Sequence, residues 1–436
     1  MNRDRPIAID LFAGAGGLSL GFEQAGFDVV AAVEIDPVHA CVHKFNFPAC
    51  AVIPQSVAEI SGRDIRQAAG LSTRATIGVV MGGAPCQGFS LMGQRALDDP
   101  RNSLVQDFIR LVHELQPSYF VFENVKGLTV GKHRQFLKEL IQALTDAGYA
   151  VLQPWRVLNA KEYGVPQSRE RLFLMGAKKA QALPAYPEPL EDEVTCADAL
   201  SDLPDAERYE RLLLGDEVQF NYLGRPTNDY AALMRCSTAD SWRYGYRRKW
   251  NSSLLTSSRR TNHTAISRNR FDKTAQGVVE PISRFFRLSA DGVSNTLRAG
   301  TDSARGAFTS PRPIHYQYAR CVTVREMARL HGFPDWFRFN ETKWHGGRQI
   351  GNSVPPPLAF AIARELIKVL SFSPEQPLEA VQLGDKALLK MDMSAASKYW
   401  RIESPIRRRD RKSGQRKRKQ EEITVPSKLI RVAAIA

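Results

Sequence analysis

The sequence predicts an α/β fold with a mostly parallel sheet and a second, smaller and irregular domain. Three observations predict it. Apolar runs at 7–12, 29–33, 77–80 and 119–122 read as buried strands, and helical periods lie between them. The strands end in glycine turns or in single carboxylates, at the place where open α/β sheets bind ligands. From about residue 180 the regular alternation stops.

The first strand, Ile7 to Phe12, runs into Ala13-Gly14-Ala15-Gly16-Gly17. A helical pattern follows through Leu18, Leu20, Phe22 and Ala25, and Gly26 closes it. Val29 to Val33 is the second strand, with Glu34 at its end. Strand, glycine turn, helix, strand and terminal acid describe the first half of a dinucleotide-binding type of unit. The glycines admit a ligand to the backbone, the helix offers free N–H groups, and the acid can accept from ribose hydroxyls. The turn is not Gly-x-Gly-x-x-Gly, so an adenosyl ligand without a pyrophosphate fits as well as NAD.

Ala51 to Ile53 reads as a short strand and Ala58 to Gly70 as a helix with turns. The strand at 77–80 leads into Met81-Gly82-Gly83-Ala84-Pro85-Cys86-Gln87-Gly88-Phe89-Ser90. A cysteine on a rigid turn at a strand end can present a thiolate to a cleft. A buried structural cysteine is the plain alternative. Asn102 or Ser103 is placed to cap a helix with Leu104, Phe108, Leu111, Val112 and Leu115 on one face. Tyr119 to Phe122 is a strand ending in Glu123-Asn124-Val125, and a helix through Phe136, Leu140 and Leu144 follows. Val151 to Val157 reads as a strand. In Gln167-Ser168-Arg169-Glu170-Arg171, alternate side chains share one face, which suits a phosphate or a base carbonyl.

The formal net charge is +14, and its distribution is uneven. Residues 221–288 carry thirteen Lys/Arg against four acids, and 401–420 carry ten against two. Residues 181–220 carry two Arg against eleven acids. Two separate basic regions point to a polyanionic partner. Arg243, Arg247, Arg248 and Lys249 interleave with Tyr244, Tyr246 and Trp250, as nucleic-acid surfaces do. Thr323 to His331 reads as a helix with a capping box at Thr323 and Glu326. Gln349 to Pro357 reads as a turn into a helix ending near Leu370, and a largely disordered end is expected beyond 371. The six cysteines form no Cys-x-x-Cys pair, which excludes a zinc framework of that kind and suggests a reducing cytoplasm. The chain lacks an apolar run long enough for a bilayer and has no apolar signal core at its start.

Taken together these stretches resemble the DNA cytosine-5 methyltransferase family, of the bacterial restriction-modification type. Asp10 to Gly17 resembles its first S-adenosylmethionine motif and Glu34 its ribose-binding acid. Gly83 to Ser90 resembles the nucleophile loop, Glu123-Asn124-Val125 the Glu-Asn-Val motif, and Gln167 to Arg171 the Gln-x-Arg-x-Arg motif. Gly351-Asn352-Ser353-Val354 resembles the last motif. One departure is visible: Gln55-Ser56-Val57 falls where the family usually has an adenine-binding acid.

The resemblance implies a Rossmann-like S-adenosylmethionine-dependent methyltransferase lobe over 1–180 and a target-recognition domain with its return connection over 181–345. It further implies a last motif helix over 346–371 that packs back on the lobe, and a basic extension over 372–436. It implies catalysis by Cys86, Glu123, Arg169 and Arg171, without a metal. S-adenosylmethionine is expected to touch Phe12, Ala13, Gly14, Gly16, Gly17, Leu18, Glu34, Ile35, Pro85, Asn102, Asn352 and Ser353. Double-stranded DNA is expected to touch Gln87, Ser90, Arg243, Arg247, Arg248 and Lys249. The expected enzyme is a cytoplasmic monomer on DNA, with a cognate restriction endonuclease acting separately. An RNA (tRNA) cytosine-5 methyltransferase and an inactive DNA-binding module of the same fold are the alternatives.

Overall fold

The computed structural model describes residues 5–85, 102–131, 133–220, 226–301 and 310–404. Strands β1 (Ile7–Leu11), β2 (Asp28–Val33), β3 (Ala51–Ile53), β4 (Val79–Gly82) and β5 (Tyr119–Val125) pair in parallel, in the order β3-β2-β1-β4-β5. β6 (Tyr149–Val151), β7 (Arg156–Asn159) and β8 (Glu170–Lys178) finish the sheet: β8 lies antiparallel to β5, and β6 and β7 both pair with β8. The expected strand at 151–157 is thus two short ones. Pro154 lies in the break and has no N–H to give a ladder. Ile9, Leu11, Val80, Met81, Phe120 and Val121 are fully buried, as strands covered on both faces must be.

The helices of the lobe are α1 (Gly17–Ala25), α2 (Pro37–Asn46), α3 (Gly62–Ala68), α4 (Ser103–Leu115) and α5 (His133–Asp146). Short helices follow in the less regular part: α6 (Cys196–Leu200), α7 (Asp229–Met234) and α8 (Ala265–Lys273). Then come α9 (Val324–Leu330), α10 (Lys343–Asn352), α11 (Pro356–Val369) and α12 (Met393–Trp400). Thr323 caps α9 and Glu326 closes the capping box, as the spacing predicts. The segment 349–352 is not a turn: it is the last turn of α10, and Ser353 to Pro355 link it to α11.

α11 returns to lie along α1, and glycine makes this possible. A Cβ on Gly21 would stand 2.4 Å from the Ala359 Cβ and 2.6 Å from the Phe360 nitrogen. One on Gly17 would stand 2.3 Å from the Val354 carbonyl oxygen. The lobe is therefore closed by a helix from the other end of the chain.

Much of the cationic excess of the irregular part is structural. Arg320 pairs with Glu326 (2.8 Å), Arg329 with Asp335 (2.7 Å) and Arg338 with Glu217 (3.0 Å), all three arginines being buried. Buried charges persist where such pairs satisfy them.

The expectation of a disordered end from 372 fails for 372–404. There β9 (Val381–Gln382) pairs with Arg248–Lys249, the one-turn helix Lys386–Lys390 lies on α2, and α12 packs beside it. Val38, Cys41, Val42 and Phe45 of α2 bury Leu388, Leu389 and Ala396. Trp400 Nε1 donates to the Pro37 carbonyl (3.2 Å). A few spaced apolar side chains hold a polar-looking segment. The rest of the basic end, 405–436, lies outside the described residues. Among the described residues no helix is long and apolar enough to cross a membrane.

Candidate active site

A cavity of about 670 Å³ opens at the carboxyl ends of β1, β2, β4 and β5. The turn after β1 forms its first wall. Phe12 takes φ 62°, Gly14 φ 55° and Gly16 φ 105°, so consecutive peptide groups curl toward the helix start. Gly14 N–H donates to Glu34 Oε2 (2.7 Å) and Asp36 N–H donates to Oε1 (2.8 Å). Each oxygen keeps acceptor capacity after these bonds. Burial pushes the Glu34 pKa up. Asp10 lies buried beneath the turn and accepts from Ser19 Oγ (2.6 Å), which ties β1 to α1.

The opposite wall carries the charged pair. Glu123 at the end of β5 meets Arg171 of β8, Nε to Oε1, at 2.9 Å. Antiparallel pairing of β5 with β8 brings them to the same end of the sheet. Burial raises the Glu123 pKa, against the pull of Arg171 and then Arg169. Gly83 leaves room beneath this carboxylate, since a Cβ there would lie 2.6 Å from Glu123 Oε2. Asn124 Nδ2 donates to the Ala84 carbonyl (2.9 Å) and so holds the loop that carries Pro85 toward residue 86.

Of the expected cofactor contacts, Phe12, Ala13, Gly14, Gly17, Leu18, Glu34, Ile35, Pro85, Asn352 and Ser353 line the cavity. Ile35 is half exposed there, an apolar face open to a ring. Gly16 and Asn102 do not line it. Gly16 faces Phe47 and His43 instead, and Asn102 is buried at the start of α4, where its side chain makes no capping bond. Glu123, Arg169 and Arg171 all line it. Among the described residues Arg169 makes no ion pair with the Glu123 carboxylate. It is buried, and donates to the carbonyls of Leu297 (3.1 Å), Gly351 (2.9 Å) and Ser353 (3.0 Å). Its neighbour in the alternation, Gln167, accepts from Leu297 N–H (3.1 Å) and donates to the Leu330 carbonyl (3.2 Å). Together they fasten the 297 and 351–353 segments to the sheet.

One of the expected DNA contacts, Arg248, is corrected by burial, and a second, Arg243, is half-buried. Arg248 is buried against Glu23 (2.7 Å) and donates to the Asn46 carbonyl (3.2 Å). Arg243 stacks over the Phe360 ring at 3.7 Å, and burial lowers its pKa to about 10. Arg247 and Lys249 are exposed. Cys86, Gln87 and Ser90 lie outside the described residues. Asp36, His39, Arg348 and Thr301 line the cavity without having been expected. His39 lies one turn into α2, a helix that follows a strand-end acid, and that position was its one signal.

The family model for C-5 cytosine-specific DNA methylases matches residues 7–368. The chain is 58% identical over 402 residues to the type II methyltransferase M.XorII of Xanthomonas oryzae, covering 92% of this chain and 94% of that one. It is 35% identical to the type II methyltransferase M.DdeI of Desulfomicrobium norvegicum, over 82% and 88% of the two chains. A solved structure assigned as a DNA modification methyltransferase encoded within an E. coli prophage superposes with a TM-score of 0.69 at 33% identity, over 84% of this chain and all of that one. The match spans both the sheet and the returning α11, so the chain belongs to the C-5 cytosine-specific DNA methylases.

Proposed function

We propose that this chain transfers a methyl group from S-adenosylmethionine to C5 of cytosine in a specific sequence of double-stranded DNA, as the modification enzyme of a restriction-modification system. The named type II relatives support the last clause. The observation that carries the chemistry is the Glu123–Arg171 pair at 2.9 Å, inside a cavity walled by a glycine turn and a strand-end acid.

The residues present fit the cofactor. Glu34 keeps acceptor capacity for ribose hydroxyls, the curled turn at Gly14 offers backbone, and Ile35 offers an apolar face. S-adenosylmethionine, when bound, supplies an electrophilic methyl group.

Cytosine C5 is too electron-poor to take that methyl unaided. The Cys86 thiolate adds to C6, and C5 gains carbanion character. Charge then develops at N3 and at the C2 carbonyl. A Glu123 carboxyl with a raised pKa holds a proton for N3 and can accept from the exocyclic amine, which thymine lacks. Arg171 steadies that carboxyl and has further N–H groups for the C2 oxygen. Water acts as the base that takes the C5 proton, and the thiolate leaves. Gly83 and Asn124 set the start of the nucleophile loop. Cytosine inside a duplex is out of reach of such a pocket, so the base is turned out of the stack.

The test offers labelled S-adenosylmethionine with mixed-sequence duplex DNA and tRNA side by side. Label is expected in DNA and absent with Cys86→Ala. Label in tRNA alone, or undiminished label with Cys86→Ala, refutes the reading.

A further inference from the structure

A second cationic site stands beside the cavity, built from three separate segments. Lys343, the first residue of α10, donates from Nζ to the Arg260 carbonyl (3.1 Å). Arg312 is buried and donates to Thr261 Oγ1 (2.6 Å) and to the Val322 carbonyl (3.0 Å), while its Nε has no hydrogen-bond partner among the described residues. Arg259, half-buried, adjoins Arg260 and adds a third charge that acts on Lys343.

Among the described residues the charge here lacks the ion pairs that Arg320, Arg329 and Arg338 have. Among the described residues no ion pair joins a carboxylate to Arg259, Arg312 or Lys343. Glu326, which acts on Arg312, and Glu207, which acts on His263, are ion-paired elsewhere: Glu207 to Arg268, and Glu326 to Arg320 at 2.8 Å. The groups acting on Lys343 are all of its own sign, and with burial they lower its pKa to about 8. His263, beside them, accepts from Cys321 N–H (3.2 Å) through Nε2 and stays neutral. Such a cluster is stabilised by an anion. The N–H groups of the first turn of α10 add to the attraction.

Its position says which anion. Trp344, next along α10, donates from Nε1 to the Thr301 carbonyl (3.2 Å), and Thr301 lines the cavity. Arg348, one turn further on, lines it too. Five residues of helix span about 7.5 Å, so Lys343 stands about that far along α10 from the wall that Arg348 forms. A strand whose base enters the cavity must run its backbone past that wall.

We propose that Arg259, Arg312 and Lys343 form a binding cluster for phosphodiester groups of the DNA strand whose base enters the cavity. The inference rests on the DNA methyltransferase reading above and adds the residues that hold the backbone. Such contacts position the duplex without reading its sequence.

The experiment measures the binding of the full chain to a labelled mixed-sequence duplex over a series of salt concentrations. Each lost phosphate contact lowers the slope of log affinity against log salt by about one. Lys343→Gln is expected to lower it by that amount and to weaken cognate and unrelated duplexes equally. Lys343→Arg is expected to restore it, a rescue that a packing role would not predict. Arg259→Gln serves as the second variant should Lys343→Gln not fold. A wild-type slope in both glutamine variants overturns the inference, even if the enzyme methylates DNA. Lowered slopes in a protein that transfers no methyl to DNA would keep the phosphate site and sink the enzymatic reading.

Discussion

Glu123 is where the sequence, the packing and the chemistry meet. Its carboxyl is buried over Gly83 and held by Arg171, with a raised pKa. The mechanism uses the protonated form. Raising the pH through the raised pKa ionises the carboxyl, so kcat/KM is expected to fall on that side. Glu123→Gln keeps the shape but cannot move the proton, and general acid catalysis commonly contributes about 10²–10⁴-fold in rate. The variant is expected to lose activity in that range and to lose this limb of the pH profile. A wild-type rate, or an unchanged limb, would remove Glu123 from the role. The residue types at the strand ends were legible in the sequence because strand-end acids and glycine turns are local patterns. The fates of Arg169, Arg243 and Arg248 were not. A guanidinium reads alike in sequence whether it faces DNA, Glu23 or a carbonyl, and only tertiary packing decides.

At the scale of elements, the strands and the capped α9 follow from periodicity and caps, and both were legible. The end of α10 reads as a turn in the sequence because Gly351 and the prolines after it look like breakers. Gly351 is instead demanded by the Arg298–Ala299 backbone, which a Cβ would meet at 2.3 Å. The α1–α11 contact gives a sharper test. Gly21→Ala puts a methyl against backbone atoms that have no free rotor, and such overpacking costs about 1–3 kcal/mol. The variant is expected to melt at a lower temperature, and an unchanged melting point would deny the close approach.

For the whole molecule, the segment 372–404 extends past the family match at 368 and still packs on the lobe. Its composition hid it, since Leu388, Leu389 and Ala396 are spread through polar neighbours. It braces α2, whose N-cap Asp36 and first-turn His39 line the cavity wall. Ending the chain at Ser371 uncovers that face, and each buried leucine contributes about 1.5–3 kcal/mol. The shortened protein is expected to melt earlier and to show a raised KM for S-adenosylmethionine. Unchanged values of both would mean the brace is idle. The partnership of α1 with α11 also sets an order of events during synthesis. α1 ends at residue 25 and α11 begins at 356. At about 5–20 residues per second the ribosome needs roughly 15–70 seconds to bridge that gap. Until then the glycine-lined face of α1 stays uncovered. α1, made well before α11, is therefore among the last elements to be finished, and a nascent-chain chaperone has that interval in which to bind it.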